Sequence, residues 1–188
     1  MSLILASASP RRRELLARFG VPFTIDPADG PELAPAGADA AHTVMALSEA
    51  KARETAARHP GDTVIGADTV VELEGDILGK PLDADDAFRM LRRLSGNEHR
   101  VYTGVTLVRG TECVSEVETT RVFFRDMTDE EIRAYIATGE PMDKAGAYGY
   151  QGVAGLFVER IDGDYFNVVG LPLCRLGRML GSMGVALL

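Results

Sequence analysis

The segment from Thr63 to Val71 restricts the fold of this chain more than any other. Its sequence, TVIGADTVV, is apolar on both alternating faces apart from Asp68, which is typical of a strand buried at the centre of a sheet between helices. Strand and helix patterns alternate in the first half of the chain, whereas strand patterns follow one another later. The sequence therefore predicts an α/β protein with a mixed sheet.

Capping and turn residues locate the other elements. A short strand over Leu3–Ala6 leads to Ser9 and Pro10, which favour a helix start because serine caps free backbone N–H groups and proline lacks one. Residues 26–39 read as a loop, and Asp162-Gly163-Asp164 predicts a hairpin turn after a strand over 156–161. Further helices are predicted over 40–59, from Asp83 to Leu94, from the Thr128–Glu131 capping box to Thr138, and from Pro172.

Asp68 is the sharpest single signal for chemistry. A carboxylate within a buried strand must reach the strand end, where a loop can satisfy it, or be compensated by a cation, a metal or strong donors. Lys51 falls on the apolar stripe of the helix predicted over 40–59, so it either extends its ammonium into solvent or serves as such a cation.

Three consecutive arginines, Arg11, Arg12 and Arg13, follow the predicted helix start. The N-terminus of a helix already carries partial positive charge, so cations are unfavourable there unless an anion binds. A phosphate at this corner would accept from backbone N–H groups, serine hydroxyls and guanidinium groups together. The alternative is that the arginines extend into solvent.

Three more residues are candidates for the same site. Lys80, between Gly79 and Pro81, sits on a stiff turn that suits an ammonium held against phosphate, although a surface lysine is the alternative. Glu32 is either a solvated loop acid or a second carboxylate for a hard metal. Gln151, in a glycine-rich segment, offers a donor and an acceptor to the edge of a base.

Composition and missing motifs exclude several classes of protein. The net charge of −8 argues against binding to nucleic acid or to anionic membranes, and no apolar run is long enough for a membrane span. We expect one domain over residues 1–188, located in the cytoplasm. The two cysteines suggest neither a disulfide framework nor a zinc site, and Walker, GxGxxG and GxSxG motifs are absent.

Seven segments of the chain form a recognisable set when they are taken in order. They are LILASASPRRRELL at 3–16, EAKA at 49–52, GADTVV at 66–71, GKP at 79–81, LSGNEHRVYTGV at 94–105, GEPMDKAGAYGYQG at 139–152 and VVGLPL at 168–173. Together these segments resemble the Maf family of nucleoside triphosphate pyrophosphatases. The resemblance covers nearly the whole chain and implies an elongated, two-lobed molecule with a long mixed sheet flanked by helices, similar to inosine triphosphate pyrophosphatases, and a cleft between the lobes.

The resemblance also implies roles for individual residues. Asp68 matches the family's proton acceptor, and Glu32 matches a loop acid of the family. Carboxylate oxygens suit Mg²⁺ or Mn²⁺, so we expect Asp68 and Glu32 to bind a divalent cation. The subgroup with Arg, Thr and Gln at positions matching Arg11, Thr69 and Gln151 favours dTTP and UTP. A homodimer and a link to septum formation are family expectations. The positions that match the substrate-binding residues are Ser7, Arg11, Arg12, Lys51, Thr69, Lys80 and Gln151.

The working hypothesis is hydrolysis of dTTP, UTP or modified pyrimidine nucleotides to the monophosphate and pyrophosphate. Water would attack the α-phosphorus, with Asp68 as its base or as a metal ligand. Two alternatives stay open. One is a nucleotide-binding regulator of cell division with little turnover, and the other is a pyrophosphatase for inosine or xanthosine triphosphate.

Overall fold

The computed structural model describes residues 2–187. None of the helices in that range combines the length and the apolar character that crossing a bilayer requires. The elements follow the order β1 (Leu3–Leu5), α1 (Pro10–Ala17), β2 (Phe23–Ile25), α2 (Ala40–Arg58), β3 (Thr63–Leu73), β4 (Asp76–Leu78), α3 (Ala84–Leu94), β5 (Glu98–Arg109), β6 (Glu112–Phe124), α4 (Asp129–Ala137), β7 (Val158–Asp162), α5 (Tyr165–Val169) and α6 (Leu173–Ser182).

The strands form one mixed sheet in the order β2-β1-β3-β5-β6-β7, with β4 paired to β3. Strand β1 is parallel to both β2 and β3, whereas β4 runs antiparallel to β3 and β7 antiparallel to β6. Strand β3 therefore lies inside the sheet, and its residues Val64, Ile65 and Ala67 are fully buried. The predicted α/β class and mixed sheet are confirmed.

The chain divides into two compact units. The first comprises Met1–Thr69, Thr103–Glu118 and Gly170–Leu188, and the second comprises Val70–Tyr102 and Thr119–Val169. Buried side chains of the second unit, among them Leu91, Tyr135 and Phe157, form its own apolar core. Strands β3, β5 and β6 each contribute residues to both units.

Helix α2 packs against the sheet at two glycines. A Cβ atom on Gly66 of β3 would overlap the carbonyl oxygen of Ser48 and lie 2.8 Å from the Cβ atom of Ala52. A Cβ atom on Gly104 of β5 would overlap the carbonyl oxygen of Val44. Because both glycines face backbone atoms, they let the helix approach the strands closely, and this approach sets the position of the next residues on α2 and β3.

We expect the substitution Gly66→Ala to lower the free energy of unfolding by about 3 kcal/mol, since the added methyl group meets backbone that must shift. Urea denaturation measures the change. Gly181→Ala is the matched control, because that helical glycine has no atom within 4 Å of an added Cβ and alanine favours the helix. A Gly66→Ala protein as stable as Gly181→Ala would contradict the close packing of α2.

The chain after β7 differs from the prediction. The expected hairpin turn at Asp162-Gly163-Asp164 is wrong, because helix α5 begins at Tyr165. The Asp164 carboxylate accepts a hydrogen bond from Phe166 N at 2.7 Å, and Thr120 Oγ1 contacts both the amide and the carbonyl oxygen of Asp164 at 3.0 Å. Aspartate here starts a helix, as its capping preference allows. Strand β7 also begins later than predicted, after a 3-10 turn over Val153–Leu156.

Candidate functional site

The loop between β1 and α1 has the strand-loop-helix geometry that the sequence predicts. Ser7 is buried two residues after the end of β1, and its Oγ accepts a hydrogen bond from Ser9 N at 3.3 Å. Ser9 in turn caps α1 by accepting from Arg12 N, and Pro10 occupies the first helical position. The arginines therefore lie in the first turn of the helix, where the free N–H groups favour an anion.

Arg12 is held by three hydrogen bonds within the first unit. Its Nε donates to the carbonyl oxygen of Gly170 at 2.8 Å, its Nη1 to Ser7 Oγ at 3.2 Å, and its Nη2 to Thr69 Oγ1 at 3.0 Å. Burial lowers the pKa of Arg12, and the negative charge of Asp68 opposes that shift. The guanidinium remains cationic because its ordinary pKa is far above neutrality, so Arg12 brings a fixed positive charge to the loop.

The other two arginines differ from Arg12. Arg11 is half-buried and Arg13 is exposed, and within residues 2–187 neither side chain forms an ion pair or a hydrogen bond. Arg13 therefore extends into solvent, which was the alternative to phosphate binding. Arg11 has a side chain available to a ligand, and its predicted part in substrate choice stays a prediction.

The negative charge of Asp68 is compensated by the Lys51 ammonium, which confirms the prediction that a buried carboxylate at this position needs a partner such as a cation. Lys51 Nζ lies 2.6 Å from Asp68 Oδ1 and 2.6 Å from Glu32 Oε1. The Lys51 and Asp68 side chains are 15% and 10% exposed, whereas Glu32 is 60% exposed. Lys51 thus points to Asp68 instead of extending into solvent, and the close packing of α2 on β3 brings the two together.

Thr69 connects Arg12 to Thr103, a residue that the sequence analysis did not identify. Its hydroxyl accepts from Arg12 and shares a hydrogen bond of 2.9 Å with Thr103 Oγ1 on β5. Thr103 is fully buried, and a hydroxyl at such a position in a strand was the available signal. Gly170 contributes only its backbone carbonyl and adopts a φ of 116°, so no side-chain pattern could have indicated its contact with Arg12.

Asp68 and Glu32 fit the predicted divalent cation in the chemistry of their donors. Both carboxylates converge on one cation, the Lys51 ammonium, and oxygen donors suit Mg²⁺ or Mn²⁺. No cluster of three or more metal-ligating side chains occurs within residues 2–187. Mg²⁺ is often held by one or two carboxylates together with phosphate oxygens of a substrate, so these two side chains suffice only if a nucleotide supplies further ligands.

Lys80 and Gln151 belong to the second unit. Both are exposed, and neither side chain has a hydrogen-bond or ion-pair partner in the part of the chain that the structure describes. The turn that carries Lys80 is attached to the glycine-rich segment, because Gly146 N donates to the carbonyl oxygen of Gly79 at 3.0 Å. The first unit brings together the remaining predicted residues, which are Ser7, Arg12, Glu32, Lys51, Asp68 and Thr69.

Comparison with known proteins decides the family. Residues 2–183 match the family model described as "Maf-like protein". The chain belongs to the Maf-like protein family. This Maf-like chain is 53% identical over 185 residues to the dTTP/UTP pyrophosphatase of Koribacter versatilis. The alignment covers 98% of this chain and 96% of that protein. It is 54% identical over 186 residues to the dTTP/UTP pyrophosphatase of Moorella thermoacetica. That alignment covers 97% of this chain and 95% of the relative. The resemblance identified from the seven segments is confirmed.

Among solved structures, the Staphylococcus aureus Ham1 protein aligns with this Maf-like chain. The alignment has a TM-score of 0.46 and 16% sequence identity, and it covers 67% of this chain and 73% of that one.

Proposed function

We propose that this Maf-like protein is a nucleoside triphosphate pyrophosphatase that hydrolyses dTTP and UTP to the monophosphate and pyrophosphate. The similar proteins from Koribacter versatilis and Moorella thermoacetica bear that activity in their names, at more than half identity over nearly the whole chain. One structural observation carries the proposal. Arg12 and Lys51, two buried or half-buried cations, contact the adjacent β3 residues Thr69 and Asp68, so positive charge surrounds a carboxylate suited to activate water.

In the proposed reaction, water attacks the α-phosphorus of the nucleotide. The new bond joins the water oxygen to that phosphorus, the bond to the bridging oxygen breaks, and pyrophosphate leaves with the electron pair. Asp68 orients the water and accepts its proton, or it serves as a metal ligand together with Glu32. Phosphoryl transfer depends chiefly on positioning and on stabilising charge. Arg12 and Lys51 supply that charge from the protein.

A bound Mg²⁺, or Mn²⁺, would add positive charge next to the phosphates and polarise their oxygens. Glu32 and Asp68 are the residues that we propose to hold it, and the cation would take the place of the Lys51 ammonium at one or both carboxylates. The predicted contacts of Ser7 and Lys80 with the triphosphate, and of Arg11, Thr69 and Gln151 with the base, belong to the same proposal. The cytoplasmic location, the homodimer, the single domain, the absence of nucleic-acid binding and the link to septum formation stay predictions from the sequence.

The test is a product assay with the purified protein, Mg²⁺ and a panel of nucleoside triphosphates. We expect pyrophosphate as the main product, with dTTP and UTP preferred over ATP and GTP in kcat/KM by at least about tenfold, a discrimination that a few polar contacts to a base can supply. Orthophosphate as the main product would contradict the proposal.

The same assay separates the two alternatives. Preferred hydrolysis of inosine or xanthosine triphosphate would support the purine enzyme. Nucleotide binding without turnover, measured by calorimetry on the same preparation, would support a regulator.

A further inference from the structure

The loop that presents Gln151 is held at one end by a carboxylate and at the other end by a tyrosine hydroxyl that is bonded to the same carboxylate. We call residues 149–153 the Gln151 loop. At its start, Gly149 N donates to the Tyr135 hydroxyl at 3.3 Å, and that hydroxyl donates to Glu140 Oε1 at 2.8 Å. At its end, Val153 N donates to Glu140 Oε2 at 2.9 Å. One Glu140 oxygen thus holds Val153 directly, and the other holds Gly149 through the Tyr135 hydroxyl, on either side of an exposed glutamine.

The backbone of Glu140 is itself held in place. Glu140 N donates to Thr138 Oγ1 at 3.1 Å, and Lys144 Nζ donates to the Glu140 carbonyl oxygen at 2.6 Å. Tyr135 is 2% exposed. Burial raises the pKa of Tyr135, and the hydrogen bond to Glu140 raises it further, so the hydroxyl stays protonated and donates.

Gly152 shows how closely the loop approaches this carboxylate. A Cβ atom on Gly152 would overlap both oxygens of Glu140. The backbone of Gly152 has a φ of −103°, which any residue adopts. Glycine is therefore required here for space next to Glu140, and its conformational freedom is not needed.

The Glu140 carboxylate does not cap the neighbouring helix. Helix α4 already has its own capping box, formed by Thr128 and Glu131. The two Glu140 oxygens accept instead from Val153 N and from the Tyr135 hydroxyl that supports Gly149. Loss of the carboxylate should consequently affect the Gln151 loop more than the stability of the second unit.

We propose that Glu140, acting partly through Tyr135, is a positioning residue that sets substrate choice by holding Gln151. This inference rests on the proposed function, in which Gln151 contacts the base. A glutamine amide discriminates between bases only when its donor and acceptor are presented in a fixed place. A loop that is already ordered also avoids the loss of conformational entropy on binding. The clamp by Glu140 and Tyr135 supplies both conditions.

The first experiment measures steady-state kinetics of Glu140→Ala. We expect KM for dTTP and UTP to rise about tenfold while kcat changes by less than about twofold, because the lost contact supports binding and not the chemical step. The ratio of kcat/KM for dTTP to that for GTP should fall by about the same factor. The matched control is Glu159→Ala, since Glu159 is exposed on β7 and its side chain has no partner among residues 2–187. Unchanged KM and unchanged substrate ranking in folded Glu140→Ala would overturn the proposal.

A double-mutant cycle tests the contact from the loop side. Gly152→Ala displaces the carboxylate and should reproduce the effect of Glu140→Ala. The double variant should then be no worse than either single variant, because both act through the same contact. Effects that multiply in the double variant would overturn the proposal. Tyr135→Phe keeps the ring, removes only the bridge to Gly149, and should raise KM by about threefold, a smaller loss because the Val153 contact remains.

A third measurement does not depend on turnover. In an Asp68→Asn background, calorimetry with Mg²⁺ should show that Glu140→Ala weakens dTTP binding about tenfold and GTP binding much less. Hydrogen exchange should become faster at the amides of residues 149–153. If the wild-type protein releases no pyrophosphate, the proposed function fails, and the binding ratio and the exchange rates still decide the role of Glu140. If the ratio of dTTP affinity to GTP affinity and the exchange rates of residues 149–153 are the same with and without the Glu140 carboxylate, the proposed role of Glu140 is overturned.

Discussion

The substitution Asp68→Asn is expected to lower the rate of pyrophosphate release from dTTP by at least about a hundredfold, the usual contribution of a positioned general base. Asparagine keeps the shape of the side chain but cannot accept the proton of the attacking water, and it is a poor ligand for Mg²⁺. The effect should appear in single-turnover assays with saturating nucleotide. Lys51 keeps its contact with Glu32, so circular dichroism and thermal unfolding should show a folded protein.

Asp39→Asn is the control for this substitution. Asp39 caps α2 by accepting from His42 N, and asparagine caps a helix equally well, so the activity of this variant should be that of the wild type. A folded Asp68→Asn protein with activity within a few-fold of the wild type would remove Asp68 from the mechanism. If Asp68→Asn does lower the activity, titration with Mg²⁺ separates the two roles of Asp68. Loss of a metal ligand raises the Mg²⁺ concentration that gives half of the maximal rate, whereas loss of a base lowers the rate at saturating Mg²⁺.

The second large effect is expected from Lys51→Met. The substitution leaves the mostly buried Asp68 carboxylate without its cation and removes positive charge near the position that we propose for the phosphates. If Lys51 stabilises the transition state as proposed, kcat/KM for dTTP should fall about a hundredfold, as is typical when such a charged group is removed. The free energy of unfolding should fall by about 3 kcal/mol, the usual cost of breaking a buried ion pair on one side.

Glu32→Gln is the matched comparison for the stability of the Lys51 cluster. Glu32 contacts the same Nζ at the same distance as Asp68, but its side chain is 60% exposed. Water screens such a pair, so its loss should cost no more than about 1 kcal/mol. Urea denaturation of both variants measures the difference. Equal losses of stability in Lys51→Met and Glu32→Gln would show that Asp68 gains nothing from its buried ion pair.

Local signals in the sequence predicted much of the fold, because capping is a contact between near neighbours. Ser9, Asp83 and the Thr128–Glu131 pair begin helices as expected. The short edge strand β2 was not predicted, since its three residues have no pattern of their own and are ordered by pairing with β1. The hairpin predicted after β7 was wrong because the local conformation there also depends on a distant contact. Asp164 is bonded to Thr120, which lies 44 residues earlier in the sequence.

The candidate site was predictable where a residue breaks a pattern. Asp68 interrupts a buried strand and Lys51 an apolar stripe, and the structure pairs them. Their pairing itself was beyond the sequence, because it depends on how closely α2 packs at Gly66. Glu140 illustrates the opposite case. It lies in a polar, glycine-rich segment where an acid breaks no pattern, and only the folded loop shows what its two oxygens contact.

The hydrogen bond from Arg12 to Gly170 has a consequence for the order of folding. It joins residues 158 positions apart, and contacts of such long sequence separation form late because a large loop must first close. During synthesis, the arginine leaves the ribosome long before its acceptor exists. The corner that we propose to bind phosphate is therefore completed only after Gly170 has been synthesised, and a chain that ends before this residue lacks one of the three bonds that fix the Arg12 guanidinium.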